Sequence, residues 1–323
     1  MEIIRACVND LKEMNDLWNE VALENGFYKP IDFEQYQNKF LSYSDFSFDN
    51  VLLARENNKL LGYIIVIIRE KSKDAGFINS LLVKKEFRNK GIGNKLLEEA
   101  EKLVKSLGKK KMIVSNFLPS CYEWYIPNTD KHDHPCAPGI RINSMEYFFY
   151  LHHGYKTYNY CDAFHLALKD YEISTKIQEI LDENEKDGLV IELYDSNKHF
   201  GLEEFYEKLN IYDFEKPIRE NLLLEKPYPF LVVSDNGKIK GWTGAMWNEE
   251  SGRGHFDGIA ILEEIRGKGM GKALFSSLAY YSKKNGAKFM TFYTGLTNHA
   301  RYIYMGAGFK IIQSFCSFEK ELK

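Results

Sequence analysis

Two short glycine-rich segments repeat along this 323-residue sequence and are the first candidates for chemistry. The first is Arg88-Asn89-Lys90-Gly91-Ile92-Gly93, followed by Asn94, and the second is Arg266-Gly267-Lys268-Gly269-Met270-Gly271, followed by Lys272. Each comes after an apolar run and before a long amphipathic segment, a pattern typical of a strand, a turn and a helix. Unpaired N–H groups and the dipole at a helix N-terminus both favour an anion. The sequence therefore predicts two anion sites, with pyrophosphate as the expected guest.

Side chains that can accept a proton precede the second glycine segment but not the first. His255 and Asp257 stand six and four residues before Ile261. Phe77 and Asn79 hold the matching positions of the first copy, and neither can act as a base. This difference predicts that chemistry takes place in the second copy. The alternative is that His255 is an exposed strand residue and Asp257 a polar residue hydrogen-bonded at a strand break.

Each copy also ends with a tyrosine four residues before a glycine-aromatic pair. Tyr150 precedes Gly154-Tyr155, and Tyr304 precedes Gly308-Phe309. A tyrosine hydroxyl can donate a proton to a leaving group. The alternative role of both residues is packing on a helix face.

The composition bounds the class of protein. Apolar residues make up 44% and charged residues 28% of the chain, which is typical of a folded protein. A net charge of -3 gives no electrostatic reason to expect nucleic acid or an anionic membrane as partner. The longest apolar run, 60–68, is far shorter than the roughly 20 residues of a membrane span. With no secretory signal and an odd number of cysteines, five, a cytoplasmic location with reduced thiols is expected.

The elements that must position these residues occur in the same order in both halves. Apolar periodicity and turn residues predict, in the first half, strands at 2–8, 51–55, 60–68, 77–83 and 111–116, with helices at 10–23, 33–41, 94–107 and 144–151. The second half repeats the order with strands at 189–194, 230–234, 241–247, 255–261 and 289–293, and helices at 198–209, 272–285 and 300–305. The chain is therefore predicted to contain two domains of one kind.

The spacing of the repeats predicts where the copies differ. Arg88 and Tyr150 are 62 residues apart, and Arg266 and Tyr304 are 38 residues apart. An insertion at about 118–141 in the first copy accounts for the difference of 24. We expect domains at 1–169 and 188–323, joined by a polar connector at 170–187. Cysteines and histidines within the insertion match no common zinc pattern, so no metal site is expected.

These motifs resemble the GNAT superfamily of acyl-CoA-dependent N-acetyltransferases, in a tandem arrangement. The family's turn is Arg or Gln, two residues, Gly, one residue, then Gly or Ala, and both copies contain it. Both copies also show an asparagine, a helix, a tyrosine and a glycine-aromatic pair, beginning at Asn143 and Asn298. The resemblance covers nearly the whole chain and implies an α/β (α+β) fold of two domains, each with a mixed, mostly antiparallel sheet flanked by helices.

The resemblance also implies an activity, which is transfer of an acetyl group from acetyl-CoA to an amine by direct attack. The turns would grip the pyrophosphate of coenzyme A, and backbone at Leu81-Leu82-Val83 and Ile259-Ala260-Ile261 would pair with its pantetheine arm. Asp257 and His255 would provide the base, and Tyr304, with Tyr150 as its counterpart, the general acid. The residues expected to bind the cofactor are Leu81, Leu82, Val83, Arg88, Asn89, Lys90, Gly91, Ile92, Gly93, Asn94, Ile259, Ala260, Ile261, Arg266, Gly267, Lys268, Gly269, Met270, Gly271, Lys272 and Asn298.

Three alternatives remain open at this point. The chain could be a non-catalytic acyl-CoA sensor, or a protein whose first domain only supports the second. Chemistry could also take place in the first domain if the aromatic residues and histidines of the insertion line a substrate pocket. The acceptor could be a small-molecule or a peptide amine, and nothing in the sequence indicates an oligomeric state.

Overall fold

The chain forms two compact units in the computed structural model, which describes residues 1–115, 117, 119–209 and 212–323. Unit 1 comprises Met1–Asp162 together with Gln313–Lys323, and unit 2 comprises Ala163–Ile312. The predicted division left residues 313–323 in the second domain, whereas they belong to the first compact unit. The predicted insertion starts at Leu118, which lies outside the described residues. None of the described helices is long and apolar enough to cross a membrane.

Unit 1 follows the predicted order of strands and helices closely. Its elements are β1 (Glu2–Arg5), α1 (Leu11–Asn25), α2 (Phe33–Leu41), β2 (Val51–Glu56), β3 (Lys59–Ile67), β4 (Ala75–Val83), α3 (Ile92–Ser106), β5 (Lys111–Val114), β6 (Trp124–Tyr125), β7 (Asp133–His134), β8 (Ile140–Arg141), α4 (Met145–His152) and the start of β9 (Lys156–Ala167).

The sheet of unit 1 is mixed and mostly antiparallel. Strands β1 to β4 pair antiparallel in sequence order, and β5 then joins β4 in parallel over 75–78. Side chains alternate between the two faces of β2, so that Leu52 packs in the cluster with α3, and Leu53 packs in the cluster with α1 and α2. Helices on both faces therefore cover the sheet, as predicted.

The end of the chain completes the sheet of unit 1. Residues 318–321 of β16 (Lys310–Glu321) pair antiparallel with β5, and residues 315–316 pair with β8. Phe315 and Phe318 are fully buried there. Lys320 forms an ion pair with Glu101 on α3, with the nitrogen 2.8 Å from the nearer oxygen. The sequence pattern could not predict that the end of the chain joins unit 1, because this depends on pairing between distant parts of the chain.

Unit 2 contains the second copy and, among its described residues, two helices beyond the three predicted there. Its elements are the end of β9, α5 (Thr175–Lys186), β10 (Leu189–Leu193), α6 (Leu202–Leu209), α7 (Tyr212–Leu222), β11 (Leu231–Asp235), β12 (Lys238–Thr243), β13 (Arg253–Gly254), β14 (Ile259–Ile261), α8 (Met270–Lys284), β15 (Phe289–Gly295), α9 (Ala300–Gly306) and the start of β16. The predicted connector at 170–187 contains α5, which is part of this unit.

The strand predicted at 255–261 is divided in the structure. β14 pairs antiparallel with β12 at the edge of the sheet β10-β11-β12-β14, whereas β13 pairs in parallel with β15. Residues 255–258 lie between the two pairings and are not part of a strand. The prediction of one continuous strand was wrong because the chain changes its pairing partner within that segment. Within the break, residues 255–257 are partly exposed and Gly258 is buried.

Candidate active site

The two glycine turns have the same backbone conformation. Asn89 and Gly91 have φ angles of 60° and 78°, and Gly267 and Gly269 have φ angles of 83° and 79°. These left-handed angles favour glycine, and asparagine tolerates them better than other side chains do. Helices α3 and α8 begin directly after the second left-handed residue of each turn. The sequence repeat is therefore also a repeat of local structure.

Each turn presents a row of unpaired donors. The backbone N–H groups from Asn89 to Gly93, and those from Gly267 to Gly271, donate to no acceptor in the part of the chain that the structure describes. Five consecutive free N–H groups at a helix N-terminus form a concave site for an anion. The donor set thus fits a phosphate group in both units.

The arginine of the first turn is engaged in structural contacts. Its Nε donates to the carbonyl oxygen of Val83 at 2.9 Å. Its two terminal nitrogens donate to the two carboxylate oxygens of Glu24, at 3.0 Å and 2.8 Å. Hydrogen bonding by Arg88 lowers the pKa of Glu24 below its usual value. Arg88 therefore ties the turn to α1 and to the end of β4.

The second turn is held by a different element, helix α5. The side chain of Asn184 donates to the carbonyl oxygen of Lys268 at 3.1 Å. The side chain of Ile180 lies beside Gly269, so that a Cβ there would be 3.0 Å from it. Arg266 is largely exposed, and its nearest carboxylate, Glu263, is 3.9 Å away. Arg266 is thus available to an incoming anion, in contrast to Arg88.

Strands next to both turns leave a backbone edge open. β5 parts from β4 after Ile78, while β4 continues along β3 to Val83. In unit 2, β14 pairs with β12 on one edge, and no described strand pairs with its other edge. The hydrogen bond from Leu262 N to Lys240 O sets the alternation, so the backbone groups of Ile259 and Ile261 point to the open edge.

His255 and Asp257 lie together at the break between β13 and β14. Nε2 of His255 is 2.6 Å from Oδ1 of Asp257, and the backbone N–H of Ala245 donates to Oδ2 at 3.2 Å. Each side chain of the pair is 26% exposed. The imidazole stacks on Trp247, with ring centroids 4.3 Å apart. The carboxylate thus orients the ring, and the pair remains accessible to a small molecule.

The matching positions in unit 1 hold no base. Asn79 is 1% exposed, and its side-chain nitrogen donates to the Ser120 hydroxyl at 3.0 Å. Phe77 lies under the guanidinium of Arg69, 4.2 Å from the ring centroid. Both side chains therefore have structural contacts and no proton-accepting chemistry.

The two tyrosines are both in aromatic clusters. Tyr304 packs on Phe292 and Phe275, with centroid distances of 4.4 Å and 4.7 Å, and burial raises its pKa to about 12. Its hydroxyl makes no hydrogen bond to any residue that the structure describes. Tyr150 packs on Phe318 at 5.6 Å and is also buried, which raises its pKa. Both hydroxyls are therefore kept in the protonated form.

The remaining predicted residues have clear local positions. Asn298 accepts a hydrogen bond from the Ala300 N–H at 2.9 Å, at the start of α9. In the insertion, Tyr122 and Trp124 are buried, with Trp124 stacked on Phe27 at 4.7 Å. No group of histidine, cysteine or carboxylate side chains within the described ranges could hold a metal ion. Tyr122 and Trp124 are thus core residues of unit 1, whereas Tyr125 is partly exposed.

Sequence reasoning did not identify Trp247 as part of the site. The sequence pattern predicted it as the last residue of a strand, eight residues before His255. In the structure the strand ends at Thr243, before the tryptophan. Its role depends on the turn that brings it back to His255, where the His255 N–H donates to the Trp247 carbonyl at 2.9 Å.

A comparison with protein families matches both copies of this site. The sequence profile of the acetyltransferase (GNAT) family matches residues 12–123 and 190–309. The chain belongs to the GNAT family. The matched ranges contain both glycine turns, which confirms the predicted family and its tandem arrangement. No curated protein matches the chain.

Solved structures share this fold along the whole chain. A GCN5-related N-acetyltransferase from Sphaerobacter thermophilus has a TM-score of 0.60 and 15% identity, with coverage of 100% of this chain and 96% of its own. A tandem GNAT protein from the clavulanic acid biosynthesis pathway has a TM-score of 0.59 and 13% identity, with coverage of 100% and 98%. At these identities the likeness concerns the fold, and it confirms the predicted α/β class with two GNAT-like domains.

A third structure is the glucosamine N-acetyltransferase region of a fungal multi-domain β-N-acetylglucosaminidase. Its TM-score is 0.65 at 14% identity, and the match covers 99% of this chain. This chain spans 38% of that larger protein.

Proposed function

We propose that the protein transfers the acetyl group of acetyl-CoA to an amine, with the chemistry in unit 2. The observation that carries this proposal is the hydrogen bond between His255 and Asp257 at the break in the strand. GNAT membership supports acetyl transfer in general. The assignment to unit 2 rests on the base, which unit 1 lacks at Phe77 and Asn79.

The His255–Asp257 pair can remove the proton that keeps the acceptor amine from attacking. An alkyl amine with a pKa of about 10.4 is neutral in only about one part in 2,500 at pH 7. When Nε2 of His255 donates to Asp257, Nδ1 keeps its lone pair and can accept the proton of the amine. Asp257 then stabilises the resulting imidazolium. The Ala245 N–H holds the carboxylate in position.

Backbone donors and edges would place the cofactor. Acetyl-CoA, when bound, supplies an activated acyl thioester. The N–H groups of 267–271 and the side chain of Arg266 would hold its phosphates, and the open edge at Ile259 and Ile261 would hold the pantetheine arm. A backbone N–H at this edge can also stabilise negative charge on the acyl oxygen. Tyr304, protonated throughout the physiological range, can give a proton to the thiolate that leaves.

Unit 1 has the same turn without the base. We propose that it binds acetyl-CoA or supports the fold, without catalysing transfer. Its free N–H groups at 89–93 support binding. The ion pair of Arg88 with Glu24, however, makes this positive charge less available to an incoming phosphate.

The test is release of coenzyme A thiol from acetyl-CoA by the full chain, with a panel of small and peptide amines. We expect amine-dependent release, reduced at least tenfold in Asp257→Asn. Tight acetyl-CoA binding without turnover of any amine would support the sensor alternative instead. Turnover that Asp257→Asn leaves unchanged would remove the base assignment.

A further inference from the structure

An aromatic surface lies beside the His255–Asp257 pair in unit 2, formed by Tyr228 and Trp247. The ring centroids of Tyr228 and Trp247 are 6.0 Å apart at an interplanar angle of 32°. Trp247 stacks on His255, so the surface is continuous with the proposed base. Tyr228 is 45% exposed, and Trp247 is partly exposed. Exposed aromatic rings of this kind offer an apolar contact next to the reacting group.

The backbone under both rings is held firmly. The backbone N–H of Tyr228 donates to Oδ1 of the buried Asn221 at 2.9 Å, and the side-chain nitrogen of Asn221 donates to the backbone carbonyl of Tyr228 at 2.9 Å. The Met246 N–H donates to the Pro229 carbonyl at 2.8 Å, which joins the two segments. Such contacts fix the backbone that bears the rings before a ligand arrives, which reduces the entropy lost on binding.

The segment that bears Trp247 is fixed on its other side by the end of α8. The side chain of Asn285 donates to the Met246 carbonyl at 3.3 Å. The side chain of Asn248 donates to the Asn285 carbonyl at 2.8 Å. Trp247 is thus held through both of its neighbours.

The segment that bears Trp247, His255 and Asp257 carries more negative than positive charge, which favours a cation over an anion there. Between Ala245 and Asp257 the sequence has one basic residue other than histidine, Arg253, and it pairs with Glu249. Asp257 and Glu250 add negative charge. An ammonium group can lie over an aromatic ring, whereas a carboxylate or phosphate on the acceptor would be repelled here.

We propose that the acceptor is a primary amine on an uncharged aromatic skeleton, which Tyr228 and Trp247 hold beside His255 and Asp257. This inference rests on the proposed function and names the substrate class of the same site. The flat skeleton packs against the rings, and its amine reaches Nδ1 of His255. Amines that carry a carboxylate are disfavoured because no free basic side chain between 245 and 257 meets it.

The experiment compares three amines with the full chain and saturating acetyl-CoA. The amines are 2-phenylethylamine, phenylalanine, which adds a carboxylate, and n-butylamine, which lacks the ring. We expect kcat/KM for phenylethylamine to exceed both others by about tenfold or more, since ring contacts and the absence of charge repulsion both contribute. Equal or better turnover of phenylalanine or butylamine overturns the inference and leaves the proposed function intact. Absence of turnover with every amine tested overturns both.

Variants of Tyr228 test the surface itself. Tyr228→Leu is expected to raise KM for phenylethylamine about fivefold and leave butylamine unchanged, and Tyr228→Phe should behave as the parent because it keeps the ring. The matched control is Tyr158→Leu in unit 1, where the side chain is 47% exposed, and it should have no effect. Equal loss for both amines in Tyr228→Leu would show that the ring only supports the fold.

Discussion

Nε2 of His255 lies 2.6 Å from a carboxylate oxygen of Asp257, within a four-residue gap between two strand pairings. The gap is a product of topology, since residues before it pair with β15 and residues after it with β12. In unit 1, β4 loses its pairing with β5 after Ile78 but stays paired with β3, and Phe77 and Asn79 lie at this point. The two units thus share a scaffold and differ in the groups that can move a proton.

Tyr304→Phe tests the proposed general acid. Loss of the hydroxyl should reduce kcat by about tenfold or more, with acetyl-CoA affinity unchanged. Because burial raises the pKa of Tyr304 to about 12, the hydroxyl stays protonated at pH 9, and its titration should cause no loss of activity below about pH 11. Tyr150→Phe in unit 1 is the matched control and should retain full activity. An equal loss in both variants would indicate a packing role.

Substitutions in the two turns separate backbone strain from crowding. At Gly91 a Cβ would meet nothing within 4 Å, so Gly91→Ala adds only the strain of a positive φ, about 1 kcal/mol. At Gly269 the same change also presses on Ile180. We expect Gly269→Ala to lose more stability in urea unfolding than Gly91→Ala, and Ile180→Ala to lessen the difference. Equal losses with and without Ile180 would contradict this contact.

Arg88 and Arg266 should separate stability from affinity. Arg88→Gln removes the bonds to Glu24 and Val83 and should lower the free energy of unfolding by about 1 kcal/mol. Arg266→Gln should leave unfolding unchanged and weaken acetyl-CoA binding several-fold, measured by calorimetry. The opposite assignment of the two effects would refute the distinction between the turns.

The ion pair of Arg88 also predicts a pH dependence of stability. Arg88 lowers the pKa of Glu24, so the stabilisation is present above the ordinary glutamate value of about 4.5 and is lost as pH falls through the lowered one. The difference in unfolding free energy between the parent and Arg88→Gln should therefore shrink below about pH 4. A difference that stays constant from pH 7 to pH 3 would show that the ion pair contributes nothing.

The C-terminal segment is expected to stabilise unit 1. Phe318 is fully buried beside Tyr150, and Phe318→Ala should cost about 3–5 kcal/mol through lost contacts and a cavity. The exposed Leu223 in unit 2 supplies a control, since Leu223→Ala should change unfolding by less than about 0.5 kcal/mol. Similar unfolding curves for the two variants would contradict a stabilising role of residues 313–323 in unit 1.

Local patterns predicted the repeated turns and the helices that follow them, because glycine spacing and apolar periodicity act within a few residues. α2, predicted at 33–41, has those bounds in the structure. The gap at 255–258 was not predicted, because it depends on which strand each half pairs with. The same holds for Arg88, whose partner Glu24 is 64 residues away. Trp247 reaches the site only through a turn, which the periodicity of apolar residues does not predict.

A double-mutant cycle on His255 and Asp257 tests the central claim most directly. The measurement is kcat/KM for an active amine in the full chain with His255→Gln, Asp257→Asn and both changes, with acetyl-CoA affinity measured in each. If the two residues act as one base, each single change should cost nearly as much as the double change, with affinity unchanged. Full activity in the double variant, or losses that simply multiply, would contradict the account.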